Sequence, residues 1–141
     1  MGKSLFGLLI IVSSCIGATA QSATIVAQVS LTNQTLGIPR TTLVTPSADA
    51  LYRVTAYFDL ANGDALYTRW CLGFFYADDV ARRGGDFLEI TAPGDYLATA
   101  ASTTFAAQVR AGMPLTYTTG VCNGGNKKDP YNLYITVEQL Q

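Results

Sequence analysis

Between Leu51 and Leu60 the chain reads Leu-Tyr-Arg-Val-Thr-Ala-Tyr-Phe-Asp-Leu, with Tyr52, Val54, Ala56, Phe58 and Leu60 at every second position. Arg53, Thr55 and Asp59 fall between them. A β-strand sends alternate side chains to opposite faces, so this run predicts a strand with one apolar and one mostly polar face. A strand of that kind needs partners on both edges and a second layer over its apolar side. The remainder of the chain is read as the source of both.

Similar alternation recurs on either side. Ile25, Ala27, Val29 and Leu31 mark a first strand over Thr24–Leu31, and Thr41–Thr45 is a short β-branched edge strand between Pro39 and Pro46. After the Leu51–Leu60 strand, Asn62-Gly63-Asp64 predicts a tight hairpin turn, because Asn-Gly tolerates positive φ. Leu66–Tyr76 is then expected to return antiparallel. It carries Trp70, Leu72, Phe74 and Tyr76 on one face and Cys71, Gly73 and Phe75 on the other. Such a strand must be covered on both sides, either by loops or by a neighbouring subunit. Further strands are expected at Phe87–Thr91, Thr103–Arg110, Leu115–Thr119 and Tyr131–Leu140, with a helical turn as one option over Tyr96–Ser102. Short strands at near-regular spacing, with turn residues between them, predict an all-β antiparallel sandwich of about eight strands. An immunoglobulin pattern fails because Trp70 immediately precedes Cys71, so the two point to opposite faces. A jelly roll suits the strand count better.

The first twenty residues have a different character. Lys3 precedes an apolar run over Leu5–Val12, and Ala18-Thr19-Ala20 has the small-x-small form of a cleavage site. This is the form of a secretory signal peptide over 1–20, leaving one domain over 21–141, and the apolar run is too short to span a bilayer. Val12-Ser13-Ser14-Cys15 also matches a lipoprotein box, with lipid anchoring at Cys15 as the rival reading. Either route gives a secreted, periplasmic or cell-surface protein. Nine basic residues, one of them Lys3, stand against ten acidic ones. With so few cations and no basic block beyond Arg82-Arg83 and Lys127-Lys128, a nucleic-acid partner is not expected. Cys71 and Cys122 are the cysteines left after the leader. In an oxidising compartment such a pair predicts a disulfide, and without any histidine two thiols make a poor zinc site.

Three segments carry a resemblance: Ala50-Leu51-Tyr52-Arg53-Val54-Thr55-Ala56-Tyr57, then Val109-Arg110-Ala111-Gly112 before Leu115-Thr116-Tyr117, and Tyr134-Ile135-Thr136-Val137-Glu138 near the end. The pattern resembles small secreted bacterial β-sandwich proteins. It is also loosely similar to jelly rolls of the complement C1q and tumour-necrosis-factor type. It departs from them where the turn reads Gly112-Met113 rather than Gly-Asp. The resemblance implies a homo-oligomer, a trimer in those families, and implies no catalytic residues.

Chemistry is sparse. The absence of histidine removes the commonest general base, no G-x-S-x-G elbow occurs, and a serine triad is excluded. A carboxylate-pair glycosidase is the distant alternative, so no enzyme is expected. Asp78, Asp79 and Asp86, or Asn123, Asn126 and Asp129, offer oxygen ligands for calcium, although without diagnostic spacing. Tyr57, Tyr67, Trp70, Phe75 and Tyr76 are candidate ligand or interface aromatics. Exposed, they would stack on a glycan; in strand phase, they are core or contact residues. The sequence therefore predicts a non-catalytic module that self-assembles or binds protein through a face around Phe75 and Tyr57. Lectin-like glycan binding is the alternative.

Overall fold

The computed structural model describes residues 23–61, 68–76, 87–91, 99–122 and 129–140. Among these residues the chain forms eight strands and no helix: β1 (Thr24–Gln34), β2 (Thr41–Val44), β3 (Ala50–Leu60), β4 (Arg69–Phe75), β5 (Phe87–Thr91), β6 (Ala100–Val109), β7 (Leu115–Val121) and β8 (Tyr131–Gln139). They assemble into two four-stranded sheets, ordered β1-β8-β3-β6 and β2-β7-β4-β5, with every pairing antiparallel. The chain crosses from one layer to the other at every connection except β4 to β5, which are neighbours in one sheet, as in the double Greek key of a jelly roll. The predicted sandwich is the fold.

The β3 alternation takes the form expected of it. Tyr52, Val54, Ala56 and Phe58 are buried between the layers, while Arg53, Thr55 and Tyr57 face solvent. Leu133, Ile135 and Val137 of β8 join them from the same sheet. Trp70, Leu72 and Phe74 of β4, Leu115 and Tyr117 of β7, and Ile90 of β5 answer from the other sheet. Phe74 meets Phe105 of β6 edge-on at 5.3 Å, which ties the layers together beside β6.

Two expectations are corrected. The Asn-Gly turn predicts that Leu66–Tyr76 returns antiparallel to β3, yet β3 pairs with β6 and β8, and β4 pairs with β5 and β7. Both edges of β3 are taken by long matched partners, in register over Ala50–Asp59 with β6 and over Tyr52–Leu60 with β8. Long-range pairing thus outweighs the local preference of Asn-Gly for a hairpin. The Asn62-Gly63-Asp64 turn itself lies outside the described residues. The helical option over Tyr96–Ser102 also fails where it can be followed, since residues 100–102 belong to β6.

Two glycines have definite backbone reasons. Gly112 adopts φ 74° at the third position of a turn closed by the Met113 N–H donating to the Arg110 carbonyl. Gly37 lies so close to β7 that a Cβ would come within 2.9 Å of the Thr119 carbonyl. That close approach is held by a relay of hydrogen bonds. The Ile38 N–H donates to Thr119 Oγ1 at 2.9 Å, Thr119 and Tyr131 share a 2.6 Å contact, and the Tyr131 hydroxyl donates to the Leu36 carbonyl at 2.9 Å.

Candidate functional site

The outer face of the β1-β8-β3-β6 sheet is where exposed aromatic and hydrogen-bonding side chains meet. Antiparallel register places residues in rows across the strands. One row runs Ser30, Tyr134, Tyr57, Ser102, and the next runs Gln28, Thr136, Thr55, Thr104. Beyond the tyrosine row, Asn132, Asp59 and Ala100 align; beyond the threonine row, Ile25, Glu138, Arg53 and Ala106 do. Every strand donates its non-core phase, so the surface is fixed by the alternation that builds the core.

At its centre Tyr57 and Tyr134 keep 42% and 39% of their surface exposed. Their rings are 6.2 Å apart and tilted by 38°. The Tyr57 hydroxyl is hydrogen-bonded to the Asp59 carboxylate, and that bond, with the nearby negative charge, raises its pKa above 10.0. Asn132 Oδ1 accepts from the Asn33 N–H at 3.0 Å. On the other side, Arg53 and Glu138 form a two-pronged pair, Nε to Oε2 at 2.6 Å and Nη2 to Oε1 at 2.9 Å. The hydrogen bond from Arg53 holds the Glu138 carboxyl below its usual range. Thr55 and Thr104 hydroxyls lie 3.2 Å apart between these features. The result is two aromatic rings bordered by hydroxyl, amide, carboxylate and guanidinium groups whose positions the strand register holds.

The aromatics singled out from sequence divide between different environments. Tyr57 is on this surface. Trp70 is fully buried, its ring packed against Tyr131 at 4.6 Å and tilted by 55°, with its Nε1 donating to the Asp129 carbonyl at 3.0 Å. It therefore cannot serve as a glycan platform. Its core phase in β4 and its need for a partner for the indole N–H account for this. Tyr76 is half-buried and stacks on Phe105 at 5.7 Å. Phe75 lies on the outer face of the other sheet, beneath the Arg40 guanidinium at 4.6 Å from the ring centroid. Tyr57 and Phe75 thus face away from each other on opposite sides of the sandwich, and no single contact face contains both. Tyr67 lies outside the described residues.

The doubly apolar β4 finds part of its outer cover within the chain. Cys71 is bonded to Cys122 across the β4–β7 pair, with a Cα separation of 5.8 Å, and Arg40 covers Phe75. Arg69 and Glu89 pair at 3.2 Å beside the disulfide. Glu89 lies within 4.8 Å of both sulfurs, a grouping of ligand-type atoms, but the sulfurs are joined to each other and leave no thiolate for a metal. The calcium candidates Asp78, Asp79, Asp86, Asn123 and Asn126 lie outside the described residues. Asp129 is buried, and its backbone N–H is bonded to Thr68 Oγ1. No helix among the described residues is long and apolar enough to cross a membrane.

Tyr134 is the site residue that sequence reasoning passed over. Its signal is present: like Tyr57, it is an aromatic in the polar phase of an otherwise alternating strand. What joins the two is the β3–β8 register, in which Tyr57 stands directly opposite Tyr134. Comparison of the chain with known protein families, with curated proteins and with solved structures finds no match.

Proposed function

We propose that this protein is an exported, non-catalytic binding module that recognises a carbohydrate chain on the outer face of the β1-β8-β3-β6 sheet. The observation that carries the reading is the exposed Tyr57–Tyr134 pair, set side by side on the outer sheet face among hydrogen-bonding groups. A sugar ring presents a C–H face and a rim of hydroxyls. The first is complementary to the face of a tyrosine ring, and the second to Thr, Ser, Asn and carboxylate groups.

The composition of the face favours this ligand over a protein partner. The fully buried centre of a stable protein contact is depleted in charge and enriched in apolar surface. Here the tyrosines are surrounded by Thr55, Thr104, Thr136, Ser30 and Ser102, with the Arg53–Glu138 ion pair one row further. Such a surface is wet and rich in hydroxyl groups, and suits a wet and hydroxylic ligand. Export is supported by the leader-like residues 1–20 and by the disulfide, which persists in an oxidising compartment.

Screening the purified protein on a glycan array, followed by calorimetry on any hit, tests the proposal. Tyr134→Ala and Tyr57→Ala should each weaken binding about tenfold, near 1.4 kcal/mol, with unchanged circular dichroism. Silence across a broad array from a folded protein would overturn it, and so would a hit whose affinity neither substitution alters.

A further inference from the structure

We infer that two copies of this chain join edge to edge through β6, in an antiparallel pairing that extends the β1-β8-β3-β6 sheet into a continuous sheet of eight strands. The four sheet edges differ in how they are protected. Soluble β-proteins protect their edges with shortness, bulges, prolines or charges. β1 breaks register twice, between Ile25 and Ala27 and between Leu31 and Gln34. β2 has four residues, an irregularity between Thr42 and Val44, and flanking prolines at 39 and 46. β5 has five residues and carries Glu89.

β6 uses none of these devices. It runs ten residues, Ala-Ala-Ser-Thr-Thr-Phe-Ala-Ala-Gln-Val, without charge, proline or glycine. Its register with β3 is unbroken from Ala100 to Val109. It ends the sheet, and among the described residues its other side pairs with no strand. A long, neutral edge free of bulges is the form in which strand addition occurs.

The strand also selects its own copy as the occupant. Directly opposed residues in an antiparallel pair project to the same face, so a two-fold axis must match outward residues with outward ones. The axis must then pass through a residue rather than between two. Centred on Thr104, the pairing sets Thr104 against its copy, Ser102 against Ala106, Ala100 against Gln108, Ala101 against Ala107 and Thr103 against Phe105. Every large side chain meets a small one, and no like charges oppose. Centring on Phe105 would instead oppose two rings that are already packed on Phe74 and Tyr76. With the axis at Thr104, the row Thr136, Thr55, Thr104 continues into Thr104, Thr55, Thr136 of the second copy.

Such a dimer carries two Tyr57–Tyr134 platforms on one face, with the Tyr57 pair on the order of 20 Å apart from strand spacing and rise. Bivalency toward a repeating chain would follow, and that consequence alone rests on the proposed function. The dimer is tested separately, without any ligand. Light scattering of the purified protein at micromolar to submillimolar concentration should give twice the monomer mass, and Thr104→Lys should give the monomer mass with the native circular dichroism. Under mild oxidation, Thr104→Cys should cross-link into dimers with Cys71–Cys122 intact. Ala106→Cys should not, because its copy would be about 14 Å away. A monomeric or trimeric wild-type protein, a dimeric Thr104→Lys, or equal cross-linking at Ala106 would overturn the inference.

Discussion

The indole of Trp70 joins two parts of the fold at once. Its ring packs on Tyr131 of β8, and its N–H is bonded to the Asp129 carbonyl, just ahead of that strand. Trp70→Phe keeps most of the packing but leaves a buried carbonyl without its donor, which costs about 1–3 kcal/mol. Urea denaturation should show a lower midpoint at unchanged slope, whereas glycan affinity, where present, should be unaffected. The contrast with Tyr134 shows how much one residue's sequence context reveals. The phase of Trp70 within β4 tells that it shares a face with Leu72 and Phe74, and this is legible in the sequence. Whether that face looks inward is decided by which sheet lies across it. Tyr134 likewise becomes a candidate only once β8 is placed beside β3, a pairing between residues about 75 positions apart that no local pattern encodes.

For the strands, what could be read were the segments themselves; what could not was their pairing. All eight begin and end within three residues of the alternation that predicts them, because period-two burial is a local property. The widest differences, three residues each, are at the end of β1, the start of β4 and the start of β6, where Ala100-Ala101-Ser102 has too little contrast between its faces to declare a strand. Partnership follows instead from competition for edges, and there β6 and β8 outbid β4 for β3. The Cys71–Cys122 bond belongs to this level too. It staples the neighbouring strands β4 and β7 on the outer face of one sheet, rather than joining the two layers. Closing a loop with a sequence separation of 51 contributes up to about 4 kcal/mol in the chain-entropy picture. Chemical denaturation of a Cys71→Ala, Cys122→Ala double variant should show a loss of that order or smaller. Because the bond lies on an outer face, the variant should keep its β-sheet circular dichroism in the absence of denaturant.

Taken whole, the molecule is a sandwich that holds several tyrosines in the neutral form. Burial raises the pKa of Tyr52, Tyr117 and Tyr131 above 10.0, and the Asp59 carboxylate raises that of Tyr57. Each favours the neutral phenol in the folded state, so the associated stability is complete below pH 10.0. It is lost as pH rises through the folded-state values. An ultraviolet titration should therefore show late, cooperative tyrosinate formation coincident with the loss of sheet structure. Independent ionisation of all tyrosines near their ordinary value would contradict the burial described above. Glu138 acts with the opposite sign: its lowered pKa stabilises above the unfolded value, and the contribution fades as pH falls through the folded one.

The β1–β8 register sets Thr24 beside Gln139, so the first and last strands leave the sandwich at the same pole. A force applied through those two ends would not shear the pair along its length. It would peel the hydrogen bonds apart one at a time, starting at the pole and moving toward Gln34 and Tyr131. The domain is therefore mechanically soft along the line joining its own ends. It yields as a zip does, and a tether fixed at either end would hold it by the pole remote from Leu60 and Tyr131.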